Sequence, residues 1–104
     1  MAVRIVVQWR VEPSRAQEFN TIAADARKIL ERLGGRCRMF NALDAGPNTG
    51  LRSFVVEVEN MTAYATLVDA MAGDSEWQTY LPRLFAPNAG WTGVSRSSLV
   101  EVPI

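Results

Sequence analysis

Apolar and polar residues alternate at the start of the chain. Every odd position from Val3 to Val11 is apolar, and most of the residues between them are polar. A period of two is typical of a strand with one buried face, so the pattern predicts a strand over Val3–Val11. Similar stretches predict three more strands, at Arg36–Leu43, Leu51–Glu59 and Trp91–Val102.

A helical period replaces the alternation after Glu12-Pro13. Ser14 is placed to cap this helix, and Gln17, three residues later, completes a capping box. Gly34-Gly35 predicts the end of the helix, because a glycine readily takes the left-handed conformation of a helix cap. The apolar stripe expected to be buried consists of Phe19, Ile22, Ala23, Ala26, Ile29, Leu30 and Leu33.

The segment Asn60–Phe85 predicts a second helix that is broken in two. Apolar residues recur at helical spacing on both sides of Gly73-Asp74, which interrupts the pattern. Asn60 or Thr62 is the expected cap of the first piece, and Pro82 predicts a kink or a split before Arg83. A bent helix over a sheet can leave space beneath it, so we expect any pocket to lie there.

The element order is βαββαβ. It predicts a ferredoxin-like α+β fold, a four-stranded antiparallel sheet with two helices on one face, in a single domain over residues 1–104. The more apolar side of each strand should face the helices. On the last strand that side carries Val94, Val100 and Val102.

The opposite side of the sheet is left without helices. Each strand places one large apolar residue there, surrounded by charged or hydroxyl residues: Val6, Phe40, Val55 and Leu99. An apolar centre with a polar rim is the composition of an interface. The pattern therefore predicts a two-fold homodimer in which two sheets pack face to face.

Composition removes several classes of function. The chain has no histidine, so a catalytic triad is impossible and the commonest metal ligand is missing. Lys+Arg and Asp+Glu are both 11, which argues against nucleic-acid binding. No apolar run approaches the roughly 18 residues of a membrane span, and Met1–Val7 suits a strand better than a signal peptide.

Cysteine usage and sequence motifs complete this picture. The single cysteine, Cys37, suits a reducing cytoplasm, and we expect it to be buried and inert. No metal-ligand spacing, phosphate loop or dinucleotide fingerprint occurs, so we expect no metal and no cofactor.

Polar residues on the helix-facing side of the sheet are the candidate binding groups. Asn41 and Arg96 are the principal ones, with Arg52 and Ser98 weaker, because a few polar groups often orient a ligand in an apolar site. They also lie near strand ends or on edge strands, where they can simply reach water. An aromatic wall of Trp9, Trp77 and Tyr80 is the second candidate, although aromatic residues at helical spacing usually pack in the core.

Three stretches carry a resemblance to a known group. They are Ile5–Val11 followed by Glu12-Pro13, Asp74–Gln78 after the first helical piece, and Val94–Val100 at the last strand. In these the chain resembles the dimeric α/β-barrel superfamily, which includes antibiotic-biosynthesis monooxygenases, NIPSNAP-like and EthD-like proteins. The second and third stretches are most similar to the NIPSNAP-like branch.

The resemblance implies a ferredoxin-like homodimer. The superfamily includes cofactor-free oxygenases acting on polyketide-like phenols, isomerases, and haem-degrading enzymes that depend on a histidine for iron. Since this chain has no histidine, we do not expect haem degradation.

Two functions stay open at this point. The first is a cofactor-independent monooxygenase or isomerase acting on a hydrophobic or aromatic substrate, with Asn41, Arg96 and Tyr80 orienting the substrate and stabilising an anion. The second is a non-catalytic homodimer that binds a small hydrophobic ligand or a partner protein. The first requires Asn41 and Arg96 to be enclosed together, and the second does not.

Overall fold

The computed structural model describes residues 1–104. Its elements are β1 (Val3–Val11), α1 (Ala16–Arg32), β2 (Arg36–Asn41), β3 (Arg52–Val58), α2 (Met61–Gly73), α3 (Ser75–Leu84) and β4 (Trp91–Val100). The predicted order is confirmed, and so are the limits of β1. The other three strands are shorter than predicted by one or two residues at their ends. None of the helices has the length and apolar character needed to cross a bilayer.

The sheet is antiparallel, with the strand order β2-β3-β1-β4. This is the ferredoxin-like arrangement that the sequence predicts. Val6 lies opposite Val55 and Ser97, whereas Val7 lies opposite Phe54 and Arg96. Because residues opposite each other share a face of the sheet, the register confirms the predicted sides of these strands.

The core lies between the helices and the β1, β2 and β3 part of the sheet. Its main cluster contains Val3, Ile5, Cys37, Val56, Val58, Leu30 and Leu67, each at most 5% exposed. Gly35 occupies the tight crossing from α1 into β2. A Cβ atom there would lie 2.6 Å from Val56 Cγ1, so only glycine fits without moving the core.

Strand β4 is exposed from its second residue to its end, which corrects the expectation that its apolar side is covered by the helices. Val94 and Val100 are 47% and 52% exposed, and Val102, beyond the strand, is 71% exposed. The reason is that α2 and α3 pack on β3, on α1 and on each other. A hydrogen bond between Tyr64 Oη and Ser98 Oγ, 3.0 Å long, links α2 to β4.

The start of α1 differs from the predicted capping box. A short 3-10 turn occupies Pro13–Arg15, and α1 begins at Ala16 with no side chain capping it. The fixed backbone of Pro13 starts a tighter turn that takes in Ser14, so Ser14 and Gln17 do not form the box. At the other end the prediction is confirmed, because Gly34 follows the helix with a φ of +107°.

The broken helix is confirmed, with one correction. Asn60 caps α2, since its Oδ1 accepts the backbone N–H of Ala63 at 2.9 Å. Pro82 does not split α3, which continues to Leu84. The proline lies near the end of the helix and removes a single backbone bond there, and the N–H of Phe85 again donates to the carbonyl of Leu81 at 3.0 Å.

Candidate ligand-binding cavity

Helix α3 is attached to α1 at three points along its length. At its start, Arg32 forms ion pairs with Asp74 and Glu76 at 2.8 and 2.9 Å. Near its middle, the hydroxyl of Tyr80 donates to the carbonyl of Ile22 at 2.8 Å. Near its end, the guanidinium of Arg83 lies 2.8 Å from the Asp25 carboxylate. The two helices therefore form one layer above the sheet.

Asp74 is the residue that fixes the break between α2 and α3. Its carboxylate accepts the backbone N–H of Trp77 at 2.8 Å and so caps α3. It also accepts two hydrogen bonds from Arg32 Nη2, at 2.8 and 2.9 Å. The Trp77 N–H, followed by the Arg32 guanidinium, holds the pKa of Asp74 below its ordinary value. The same contacts set the direction in which Trp77 enters the space beneath the helix.

A cavity of about 510 Å³ lies beneath this helical layer, which is within the usual size of a ligand site. Nineteen residues line it, and 16 of them are apolar. On the helical side, Ala23 and Ala26 of α1 leave room that larger side chains would fill. The sheet supplies the floor with Ile5, Val7, Phe54 and Val56, and α2 and α3 supply Met71, Trp77, Tyr80, Leu81 and Leu84.

Aromatic rings form much of the wall. Trp77 and Tyr80 are stacked with centroids 5.3 Å apart and an interplanar angle of 24°. Trp9 lies 5.8 Å from Phe19 and 5.6 Å from Phe85, centroid to centroid. Of the five, Phe85 is the exposed one, at 64%. Flat, apolar surfaces of this kind suit an aromatic or otherwise planar ligand.

Arg96 is the charged residue of the lining. It lies opposite Val7 on the helix side of β4 and makes no hydrogen bond or ion pair within the chain. Ser95 also borders the cavity, but its hydroxyl donates to Gln8 Oε1 at 2.8 Å on the other side of the sheet. The mouth of the cavity lies beside β4, where Arg96, Val94 and Phe85 are exposed.

The structure brings together four of the five residues predicted for the site. Trp9, Trp77, Tyr80 and Arg96 line the cavity, and Asn41 does not. Asn41 is exposed on β2, at the opposite edge of the sheet from β4. Two strands separate them, which corresponds to about 14 Å across the sheet. The expectation that Asn41 and Arg96 are enclosed together is therefore wrong.

The two weaker polar candidates are engaged elsewhere. Arg52 Nη1 donates to Asn20 Oδ1 at 2.7 Å, and Ser98 shares its hydrogen bond with Tyr64. Sequence reasoning also missed the parts that Met71 and Phe85 play in the lining. Both belong to the apolar stripe of the broken helix, and their place in that stripe is the sequence feature that could have predicted a position beneath the helix.

The lining holds no carboxylate, thiol or imidazole that could transfer a proton. The hydroxyl of Tyr80 is occupied by the Ile22 carbonyl, and burial raises the pKa of this phenol. Cys37 lies outside the cavity, and burial raises the pKa of its thiol to about 12. The cavity can thus enclose a largely apolar molecule, and Arg96 at its mouth can stabilise a negative charge.

No family model and no curated protein matches this chain. Solved structures do match. A NIPSNAP domain protein from Burkholderia xenovorans superposes with a TM-score of 0.69 at 20% identity, covering 98% of this chain and 95% of the other. SnoaB, a cofactor-independent oxygenase from Streptomyces nogalater, superposes with a TM-score of 0.68 at 13% sequence identity, covering 99% of this chain and 95% of the other. A candidate antibiotic biosynthesis monooxygenase from Bordetella bronchiseptica superposes with a TM-score of 0.63 at 17% sequence identity, covering 98% of each chain.

These similarities confirm the predicted resemblance at the level of the fold. The chain has the ferredoxin-like fold of NIPSNAP domain proteins and of antibiotic-biosynthesis-monooxygenase-like proteins. At these identities a shared fold does not transfer an activity.

Substitution of Asp74 should separate its roles as cap and as charge. Near neutral pH, Asp74→Ala loses both and should lower the melting temperature by about 5 °C, whereas Asp74→Asn keeps a capping oxygen and should lose less. Because the pKa of Asp74 is depressed in the folded state, its charge stabilises the fold above about pH 4, and this contribution disappears as the pH falls further. Melting curves from neutral pH down to about pH 3 should show the wild type approaching Asp74→Asn.

Asp69→Asn is the matched control, because it removes an exposed carboxylate of α2 that forms no ion pair. It should leave the melting temperature nearly unchanged at every pH. A gap between the wild type and Asp74→Asn that persists at acid pH would contradict the assignment.

Proposed function

We propose that this chain is a small-molecule-handling protein whose ligand occupies the cavity beneath α1 and α3. The observation that carries the proposal is an apolar, largely aromatic space of about 510 Å³ with one unpaired guanidinium, Arg96, at its mouth. A site with an apolar body and few polar groups is typical of ligand pockets. We place the protein in the cytoplasm as a single domain, in keeping with its one buried cysteine.

The proposed activity is cofactor-independent oxygenation or isomerisation of a hydrophobic or aromatic substrate. One neighbour in fold, SnoaB, is described as a cofactor-independent oxygenase, and this supports the class of reaction. In this chain Arg96 would stabilise negative charge on the substrate at the mouth, and the apolar walls would hold the substrate body. Asn41 takes no part, because it lies outside the cavity, so the proposed activity relies on Arg96 without the second polar group that the sequence predicts.

The second candidate is a non-catalytic ligand carrier or sensor. It is favoured by the lining itself, which offers no side chain suited to proton transfer. A substrate of the enzyme would then have to lose its proton to water, whereas a bound ligand needs only to be held. Both candidates use the same cavity, so binding and turnover require separate tests.

We also propose that the chain works as a homodimer through the open face of its sheet. Phe40, Val55, Val6 and Leu99 form a diagonal apolar strip across β2, β3, β1 and β4. A two-fold axis near Val6 and Val55 would lay this strip on its counterpart. Arg4 and Arg36 flank it, both paired with Glu57 at 2.6 and 2.8 Å, as a polar rim.

The shape of the chain supports this assembly. It measures 39 × 38 × 17 Å, with a radius of gyration of 14.1 Å against about 13 Å for a typical domain of this length. Its accessible surface is 6660 Å², whereas a monomer of this mass exposes about 5800 Å². A flat molecule with excess surface is expected to gain stability when one broad face is covered.

Filling the cavity should weaken ligand binding. Met71→Trp replaces a flexible side chain of the lining by a larger indole ring and should weaken binding of the neutral fluorescent probe N-phenylnaphthylamine by roughly tenfold or more. Val68→Trp is the matched control, because Val68 belongs to the same helix but is exposed and does not line the cavity. Fluorescence titration of both variants measures the effect. Equal binding by the two variants would show that the probe sits elsewhere.

Oxygen uptake should separate an enzyme from a carrier. With dithranol, a hydroxylated aromatic compound that oxygen oxidises slowly, the wild type should consume oxygen faster than a protein-free solution. Arg96→Gln should reduce the protein-dependent rate by roughly tenfold or more, as expected when a group that stabilises charge is removed. If the wild type binds the neutral probe yet adds nothing to the rate for this substrate, the carrier becomes the better assignment.

Charges placed on the diagonal strip should prevent dimer formation. Light scattering should give the wild type twice the mass of its 11.5 kDa chain at micromolar concentration. The double variant Phe40→Glu/Leu99→Glu should be monomeric, because both side chains are 53% exposed in the single chain and can be replaced without disturbing the core. Met61→Glu/Val68→Glu, on the outside of α2, should stay dimeric. A monomeric wild type would refute the assembly.

A further inference from the structure

Arg96 differs from most arginines of the chain in having no partner. Ion pairs hold Arg4, Arg15, Arg27, Arg32, Arg36 and Arg83. A hydrogen bond to Asn20 holds Arg52. The unpaired arginines are Arg10, Arg38 and Arg96, and the first two lie on the open face of the sheet. Arg96 is thus the one free guanidinium that borders the cavity.

The surroundings of Arg96 make its charge available to a ligand. No acidic residue lines the cavity, so nothing in the wall neutralises the guanidinium. The neighbouring walls are apolar, with Val7 opposite Arg96 and Phe54 beyond it in the same row of the sheet. A charge beside such walls is less screened than one on an open surface, so it attracts an anion more strongly.

The local backbone places Arg96 beside the aromatic rings. The pairing of β1 with β4 shifts at Gln8/Trp9, where Val94 is the extra residue of a bulge between Gly93 and Ser95. Gly93 then lies directly against Trp9, since a Cβ atom there would be 3.5 Å from Trp9 Cζ3. Bulges redirect neighbouring side chains. Here the bulge places Gly93, rather than Val94, opposite Trp9. Trp9 and Arg96 share the helix side of the sheet because Trp9 lies two residues from Val7, the partner of Arg96.

We infer that the ligand is an amphipathic monoanion, with a flat apolar body inside the cavity and a carboxylate bound by Arg96 at the mouth. The inference rests on the proposed function and names the class of molecule that the site takes. A guanidinium presents two parallel N–H donors that match the two oxygens of a carboxylate. A single cation matches a single negative charge, whereas a phosphate monoester carries nearly two near neutral pH.

A pair of competitors that differ only in charge tests the inference. Naphthoate and naphthamide share the same aromatic body, and near neutral pH only the first is charged. Each is titrated against bound N-phenylnaphthylamine, and the loss of probe fluorescence gives its affinity. The wild type should bind naphthoate roughly tenfold more tightly than naphthamide, and salt at roughly 0.5 M should reduce that preference.

Arg96→Gln should weaken naphthoate binding by roughly tenfold and leave naphthamide within about twofold of the wild type. Arg10→Gln removes the same charge from the opposite face of the sheet and should change neither affinity. This control separates a local contact from the general attraction of a positive protein.

The possible outcomes distinguish the inference from the proposal beneath it. If the wild type binds both competitors equally, or if Arg96→Gln keeps the preference for naphthoate, the carboxylate assignment is refuted and the cavity stays a site for neutral molecules. If neither competitor nor the neutral probe binds, the cavity is not a ligand site and both statements fail. Loss of the preference in Arg96→Gln alone supports the inference.

Discussion

The attachment of α3 to α1 is the constraint on which the rest of the structure depends. Its strongest point is Asp74, whose carboxylate caps α3 and also binds the guanidinium of Arg32. A helix beginning at that residue must leave the direction of α2, and the bonds at Tyr80 and Arg83 keep it beside α1 along its length. The break between α2 and α3 is therefore a fixed geometry in which one carboxylate serves both helices.

This arrangement divides the molecule into two unlike halves. Over β2, β3 and the start of β1 the helices pack closely on the sheet. Gly35 is needed between α1 and β2, where the backbone lies against the side chain of Val56. Toward β4 the contacts between helices and sheet are few, of which the hydrogen bond between Tyr64 and Ser98 is one, and the cavity opens on that side. Val94 and Arg96 are exposed there, at the mouth.

Local patterns in the sequence predicted the elements, the helix break and the faces of β1 and β3, because each depends on neighbours in the chain. The contacts of residues on edge strands do not depend on neighbours in the chain, so local patterns could not predict them. Asn41 and Arg96 share a face, yet the strand order places them on opposite edges, and that order is set by long-range pairing. The exposure of β4 depends on where α3 packs, which is a long-range contact. Ser14 does not cap α1 because Pro13 begins a competing turn. For Phe85 and Met71 the sequence predicted an apolar helix face but not a place in the cavity lining.

The division into two halves has a consequence for how such a protein can change. The inner walls of the cavity are shared with the core, since Leu30, Trp77 and Tyr80 belong to both, whereas Phe85, Val94 and Arg96 at the mouth are exposed. Substitutions at the mouth alter shape and charge at small cost to stability. Specificity can therefore diverge while the scaffold persists, which agrees with neighbours that keep the fold at 13% to 20% identity.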